Sequence, residues 1–241
     1  DLSQFVISDV DFQCNGRASG IMLAPQGLIF HLRDCFINKP KDRGITSPGS
    51  GCQGMLIDRC QFQSNEQSLL VENRTTIGLN TNANDVKLRD NRAVMFKHWA
   101  VVGGSGTTIT GNHWFHGDTA SNGIRLGGLV LTSPNPKSIL TGNYIDNNFV
   151  EWTNEHDASP ALGNQFSFGG LTITGNMFTA NDVAPWFNWI VIKPYGPNHF
   201  IHGFSVISNV FRTLNGAIDR VEAIDRTFAD LDFNRMRNVQ F

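Results

Sequence analysis

Between residues 151 and 157 the chain reads Glu151-Trp152-Thr153-Asn154-Glu155-His156-Asp157, so Glu155, His156 and Asp157 set two carboxylates and an imidazole in one short run. Like charges held this close move carboxyl pKa values toward neutrality, where general acid–base catalysis operates. The same run also reads as a solvated polar loop. A second polar stretch, His113-Trp114-Phe115-His116-Gly117-Asp118, continues to Arg125 and supplies His116 and Asp118 as further candidates. Asp182 is the remaining carboxylate of interest. Trp152, Trp186, Trp189 and Tyr195 lie in or beside these segments. Exposed aromatic faces next to carboxylates suit the apolar faces of sugar rings, while Ala184-Pro185-Trp186-Phe187-Asn188-Trp189 reads equally as a buried patch. Lys193 and Arg125 either hold an acidic group on such a ligand or balance charge.

Side chains spread over some 80 residues do chemistry together only if the fold brings them together, and a recurring six-residue pattern indicates that fold. Its clearest copies are Ile109-Thr110-Gly111-Asn112-His113-Trp114, Leu140-Thr141-Gly142-Asn143-Tyr144-Ile145, Ile173-Thr174-Gly175-Asn176-Met177-Phe178 and Val206-Ile207-Ser208-Asn209-Val210-Phe211. Weaker copies start at Ile7, Leu32, Ile57, Leu88 and Met236. Repeats of roughly 20–50 residues signal a solenoid or propeller. Each copy reads as an apolar strand, a sharp corner and a second apolar strand, and helical periodicity is nearly absent. A coil of about three short strands per turn, its turns stacked as parallel sheets, is the expected architecture.

Composition agrees. Among 241 residues there are 24 Gly and 24 Asn, the types that tolerate left-handed backbone and make tight corners. A net charge of -2 gives no basic nucleic-acid footprint. No apolar run approaches the roughly 18 residues of a membrane helix, so neither nucleic acid nor a membrane is an expected partner. Asp1 to Phe12 has no signal-peptide character. Cys14, Cys35, Cys52 and Cys60 form no CxxC pair, no metal triad has helical spacing, and neither metal nor cofactor is expected.

Stacked turns place the same slot about 4.8 Å above its predecessor, so like side chains form ladders. Asn91, Asn112, Asn143, Asn176 and Asn209 fall in one slot, and Val10, Cys35, Cys60 and Val239 continue it, the thiols as small buried hydrophobes. Phe12, Phe62, Trp114, Phe178, Phe211 and Phe241, two residues on, are expected to form an aromatic stack in the core. Six residues past the ladder slot stand Glu66, Lys97, Asp118, Phe149, Asp182 and Asn215. If register holds, Asp118 and Asp182 are two turns apart, about 9.6 Å, at the upper edge of the carboxylate separation in inverting glycosidases. An ordinary solvated ladder is the alternative.

These rungs resemble those of right-handed parallel β-helix proteins of the pectate-lyase-like superfamily, which includes polygalacturonases, pectate lyases, alginate epimerases and bacteriophage tailspikes. The resemblance spans the whole chain and implies an all-β, right-handed parallel β-helix of about nine coils. It implies a glycoside hydrolase or lyase acting on an acidic or neutral polysaccharide, for which Asp118, Glu155, His156, Asp157 and Asp182 are the candidate acids and bases. His116, Arg125, Trp152, Trp186, Trp189, Lys193 and Tyr195 would contact the sugar. His156 and Asp157 also match half of the Asp-Pro-His-Asp segment of alginate epimerases. The competing implication is a non-catalytic tailspike or fibre module, extracellular or on a virion or cell surface, and tailspike-like members are often homotrimers. Residues 1–241 read as one β-helix domain, expected to belong to a longer chain because neither end shows a polar cap. A short helix is expected near Ala217 to Asp232.

Overall fold

A computed structural model describes residues 4–23, 26–27, 29–49, 51–64, 76–115, 128–132, 137–153, 167–180, 189–193, 200–213, 224–225 and 237–240. All regular structure among them is strand. Three parallel sheets run the length of a β-helix. The first has nine strands: Phe5–Ser8, Phe30–Arg33, Met55–Asp58, Lys87–Arg89, Thr108–Thr110, Ser138–Thr141, Ser167–Thr174, Phe200–Ile207 and Arg237–Gln240. The second has eight: Asp11–Gln13, Phe36–Asn38, Gln61–Gln63, Arg92–Val94, His113–Phe115, Tyr144–Asp146, Met177–Ala180 and Val210–Thr213. The third also has eight: Ile21–Met22, Arg43–Ser47, Ile77–Thr81, His98–Val102, Leu129–Leu131, Val150–Thr153, Ile190–Lys193 and Ile224–Asp225. Each turn visits the sheets in that order, giving eight to nine coils. Ile224–Asp225, a strand, corrects the helix expected around these positions.

The six-residue pattern is the corner between the first and second sheets. Its third slot holds Asp9, Asp34, Arg59, Asp90, Gly111, Gly142, Gly175 and Ser208, and all eight have φ between 50° and 68°. Left-handed backbone costs most L-residues about 1–2 kcal/mol, which is why Gly and Asp dominate the slot. The fourth slot follows inside the corner. Asn91 donates its backbone N–H (2.9 Å) and its side-chain amide (3.0 Å) to Oδ1 of Asn112. Asn112 repeats both bonds to Asn143, Asn143 to Asn176, and Asn176 to Asn209. Each amide also reaches back to the preceding rung, Asn112 Nδ2 to Leu88 O at 2.9 Å and Asn143 Nδ2 to Ile109 O at 3.0 Å. Polar groups at a buried corner are thereby satisfied, as burial demands.

Cys35 and Cys60 extend this column as buried thiols, each donating to the carbonyl two residues back, Arg33 at 3.1 Å and Asp58 at 3.3 Å. Val10 begins the column, its carbonyl accepting from Phe36 just as that of Cys35 accepts from Gln61. Val239 does not end it: Val239 pairs with Phe204 in the first sheet. The alternation that placed the last copy fixes only which face a residue takes, not which rung position it fills.

The core lies between the sheets. Leu32, Ile57, Leu88, Ile109, Leu140 and Ile173 stack in register from the first sheet. The second sheet contributes Phe12, Ile37, Phe62, Ala93, Trp114, Ile145, Phe178 and Phe211. The expected aromatic stack is thus mostly interleaved with aliphatic residues; Phe178 and Phe211, with centroids 4.9 Å apart, are direct ring neighbours in it. Interleaving lets large and small side chains fill the coil without overpacking. Each fully buried Leu, Ile or Phe contributes about 1.5–3 kcal/mol.

Entering the third sheet, Gly20, Gly44 and Gly78 lie one above another, and a Cβ on Gly44 or Gly78 would fall 2.5 Å from the carbonyl oxygen of the next rung. In the following rungs the equivalent place is taken by Trp99, Gly128, Phe149 and Trp189.

Candidate functional site

Period-two alternation sorts the third sheet into two faces. Leu131, Trp152 and Ile192 pair in register and point inward, as do Leu129, Val150 and Ile190. Asn80, Val101, Val130, Glu151 and Val191 form the outward column. Val130 and Val191 are nevertheless only 2% and 1% exposed, so this outward face is sheltered, and Glu151 between them is half-buried.

The connections before and after these strands carry most of the sequence-derived candidates. The chain leaves His113–Phe115 of the second sheet, passes through His116, Asp118 and Arg125, and re-enters as Leu129–Leu131. Glu155, His156 and Asp157 follow directly from Val150–Thr153. Asp182 and Trp186 precede Ile190–Lys193, and Tyr195 follows it. Nine of the candidates therefore belong to connections of three successive strands of one sheet. In sequence Asp118 and Asp182 stand in the connections that lead from the second sheet into the third, and Glu155, His156 and Asp157 in a connection that leads out of it. His116, Asp118, Arg125, Glu155, His156, Asp157, Asp182, Trp186 and Tyr195 lie outside the described residues, as does the side chain of Lys193, whose backbone pairs with Thr153.

Two candidates are corrected. Trp152 and Trp189 are buried in the coil interior, with Trp152 against Phe204 at 5.7 Å and Trp189 against Phe211 at 5.1 Å. Neither offers an indole face to a sugar. Trp152 follows the inward parity of the third sheet and Trp189 fills the entry position that Trp99 and Phe149 take in earlier rungs, neither of which the six-residue pattern records. Phe149, assigned to the charged ladder, is likewise in the core. Conversely, the sequence reading passed over Glu151 as an individual candidate. Its signal was available: it stands between Val150 and Trp152, and alternation turns it outward.

The outward face of the second sheet is chemically different. His113 stacks on Tyr144, with centroids 4.5 Å apart, and lies 4.9 Å from Phe115, whose ring carries the Arg92 guanidinium at 5.0 Å. Burial lowers the His113 pKa, the Arg92 charge lowers it further, and Asp146 opposes them. Thr179 donates to Asp146 at 3.0 Å.

At the first corner, charges alternate along and across the rungs. Asp58 is nearly fully buried and accepts from Arg89 Nε (2.8 Å), Arg89 Nη2 (2.9 Å) and Arg59 Nη1 (2.6 Å). Arg59 also clamps Asp34 through 2.9 and 2.8 Å bonds. The hydrogen bonds from arginine hold both carboxyls below the usual carboxylate range. Asp9, Asp11, Asp34 and Arg59 border an open groove of about 500 Å³ beside this network. Among the described residues no cluster of three or more His, Cys, Asp or Glu side chains could hold a metal ion. Compared with known proteins, the chain matches no family model, no curated protein and no solved structure.

Proposed function

We propose that this β-helix acts on an acidic or neutral extracellular polysaccharide, as a glycoside hydrolase or lyase of pectate-lyase-like type, along the outward face of its third sheet. The observation that carries the reading is the attachment of Asp118, Glu155, His156, Asp157 and Asp182 to the connections of three successive strands of that sheet, with Glu151 outward in the middle one. A polymer laid across successive rungs meets a repeating, rigid surface, and a carboxylate on each side of a bond supplies the acid and the base that glycoside cleavage needs. The three-sheet coil and its asparagine ladder support the family likeness.

The second reading is a non-catalytic carbohydrate-binding or fibre module. The shelter over Val130 and Val191 favours it, since a covered sheet face leaves less room for a cleft. Incubation with a panel of polysaccharides, following reducing ends and the absorbance of unsaturated uronates, separates the two. New reducing ends without absorbance mean hydrolysis, both signals mean a lyase, and retention on a polysaccharide column with neither signal means binding alone.

A further inference from the structure

We propose that two copies of this chain associate antiparallel through the outward face of the second sheet, about a twofold axis through the rung of Met177 and Thr179. Tyr144, Met177 and Val210 occupy one column in three successive rungs, and they are 39%, 40% and 51% exposed. A contiguous exposed apolar strip marks an interaction surface. Beside it runs the column of half-buried Asp146, buried Thr179 and exposed Arg212. Asp146 and Arg212 are thus opposite charges set one rung, about 4.8 Å, to either side of Thr179. Arg212 is exposed and forms no ion pair among the described residues.

That arrangement is self-complementary. A twofold axis lying in the interface, parallel to the strands and through the Met177 rung, exchanges the rung before with the rung after. Met177 meets its own counterpart, Tyr144 meets Val210 of the second copy, and Asp146 meets Arg212 of the second copy, twice over. The isologous requirement that each patch complement itself is met in both columns. A parallel arrangement, with the axis along the coil between the two columns, instead sets Tyr144 against Asp146 and Val210 against Arg212, burying charge on apolar surface at a cost. The strip is smaller than the roughly 800 Å² per partner of a standard stable interface, so the dimer is a weak, reversible one.

Sedimentation velocity over a concentration series tests this. The expected result is a concentration-dependent shift from monomer toward dimer. Because each single substitution alters both symmetry-related pairs, Asp146→Arg or Arg212→Asp weakens association by about tenfold or more, and the double swap Asp146→Arg with Arg212→Asp restores it. Met177→Lys, which places two ammonium groups at the axis, abolishes it. Thermal melts of each variant check the fold, and Arg212→Asp, on an exposed side chain, leaves folding intact even if loss of the Thr179 bond makes Asp146→Arg unstable. A wild-type protein that stays monomeric at every concentration, a trimer, or association that ignores the swaps overturns the proposal.

Discussion

Asp58 and Arg89, on neighbouring strands of the first sheet, are joined by two hydrogen bonds of 2.8 and 2.9 Å, and the carboxylate is buried while half of the arginine side chain remains open to solvent. The bonds from Arg89, foremost among the causes, hold Asp58 below the ordinary carboxylate pKa of 3.8. A carboxyl depressed in the folded state stabilises the fold above its unfolded pKa and loses that contribution as pH falls through the folded value. Stability is therefore expected to be flat above about pH 5 and to fall below about pH 4. Asp58→Asn should lower stability at pH 7 by about 1–3 kcal/mol and flatten the acid limb. Urea unfolding of both proteins from pH 2 to 7 measures it; parallel acid limbs would show that Asp58 does not carry the effect.

Removing one asparagine from the ladder strands its neighbours. Asn143→Ala leaves the buried backbone N–H of Asn112 without its acceptor, removes one of the acceptors of the Asn112 side-chain amide and deprives Ile109 O of a donor. A loss of about 2–4 kcal/mol is expected, since each unpaired buried group costs about 1–3 kcal/mol. Asn209→Ala, at a half-buried rung, should cost less. Equal losses in denaturant melts would argue that the amides merely fill space.

Two glycines separate crowding from backbone strain. Gly142 has φ +65° but open space around a Cβ, whereas Gly44 would drive a Cβ onto the carbonyl oxygen of Gly78. Gly142→Asn should be close to neutral, because Asn tolerates the left-handed region. Gly44→Ala should be the more damaging by thermal melting, as a small-to-large change in packed surroundings costs about 1–3 kcal/mol.

Thiol reactivity should divide the cysteines. Burial pushes the Cys60 thiol up to about 12, and Cys35 and Cys52 are also buried. Cys14 is half-buried, its thiol raised by burial as well. An aromatic disulfide reagent at pH 8 should label Cys14 slowly and the remaining three only in denaturant. Fast labelling of Cys60 in the native protein would mean that the second and third rungs open readily.

For activity, Asp118→Asn combined with Asp157→Asn should abolish any cleavage found on the polysaccharide panel. Glu151→Gln should reduce kcat if the third-sheet face carries the reaction. Activity untouched by either change would move the site elsewhere on the coil.

The rungs were legible because the first corner imposes the same demand on every turn. Left-handed backbone selects Gly or Asp, the buried slot after it selects Asn or a thiol, and the flanking strands alternate. Nothing comparable marks the third sheet, whose strands are reached through connections of unequal length. Trp152, inward in that sheet, and Trp189, buried at the entry to it, therefore read as loop aromatics, and the outward Glu151 carries no repeat signature. The same freedom misplaced Val239. Acids and bases in the connections carry no periodic signature, and only the strand order shows which connections hold them.

The asparagine ladder has a direction. From Asn91 to Asn176 each ladder asparagine offers its backbone N–H and one amide bond to the asparagine of the rung that comes after it, so its corner is complete only when its successor arrives. A chain emerging from the ribosome with its amino terminus first presents the rungs in that order, each newcomer closing the open valences of the one before. Assembly as vectorial winding, with a single unfinished corner travelling along the nascent chain, is built into the polarity of those bonds.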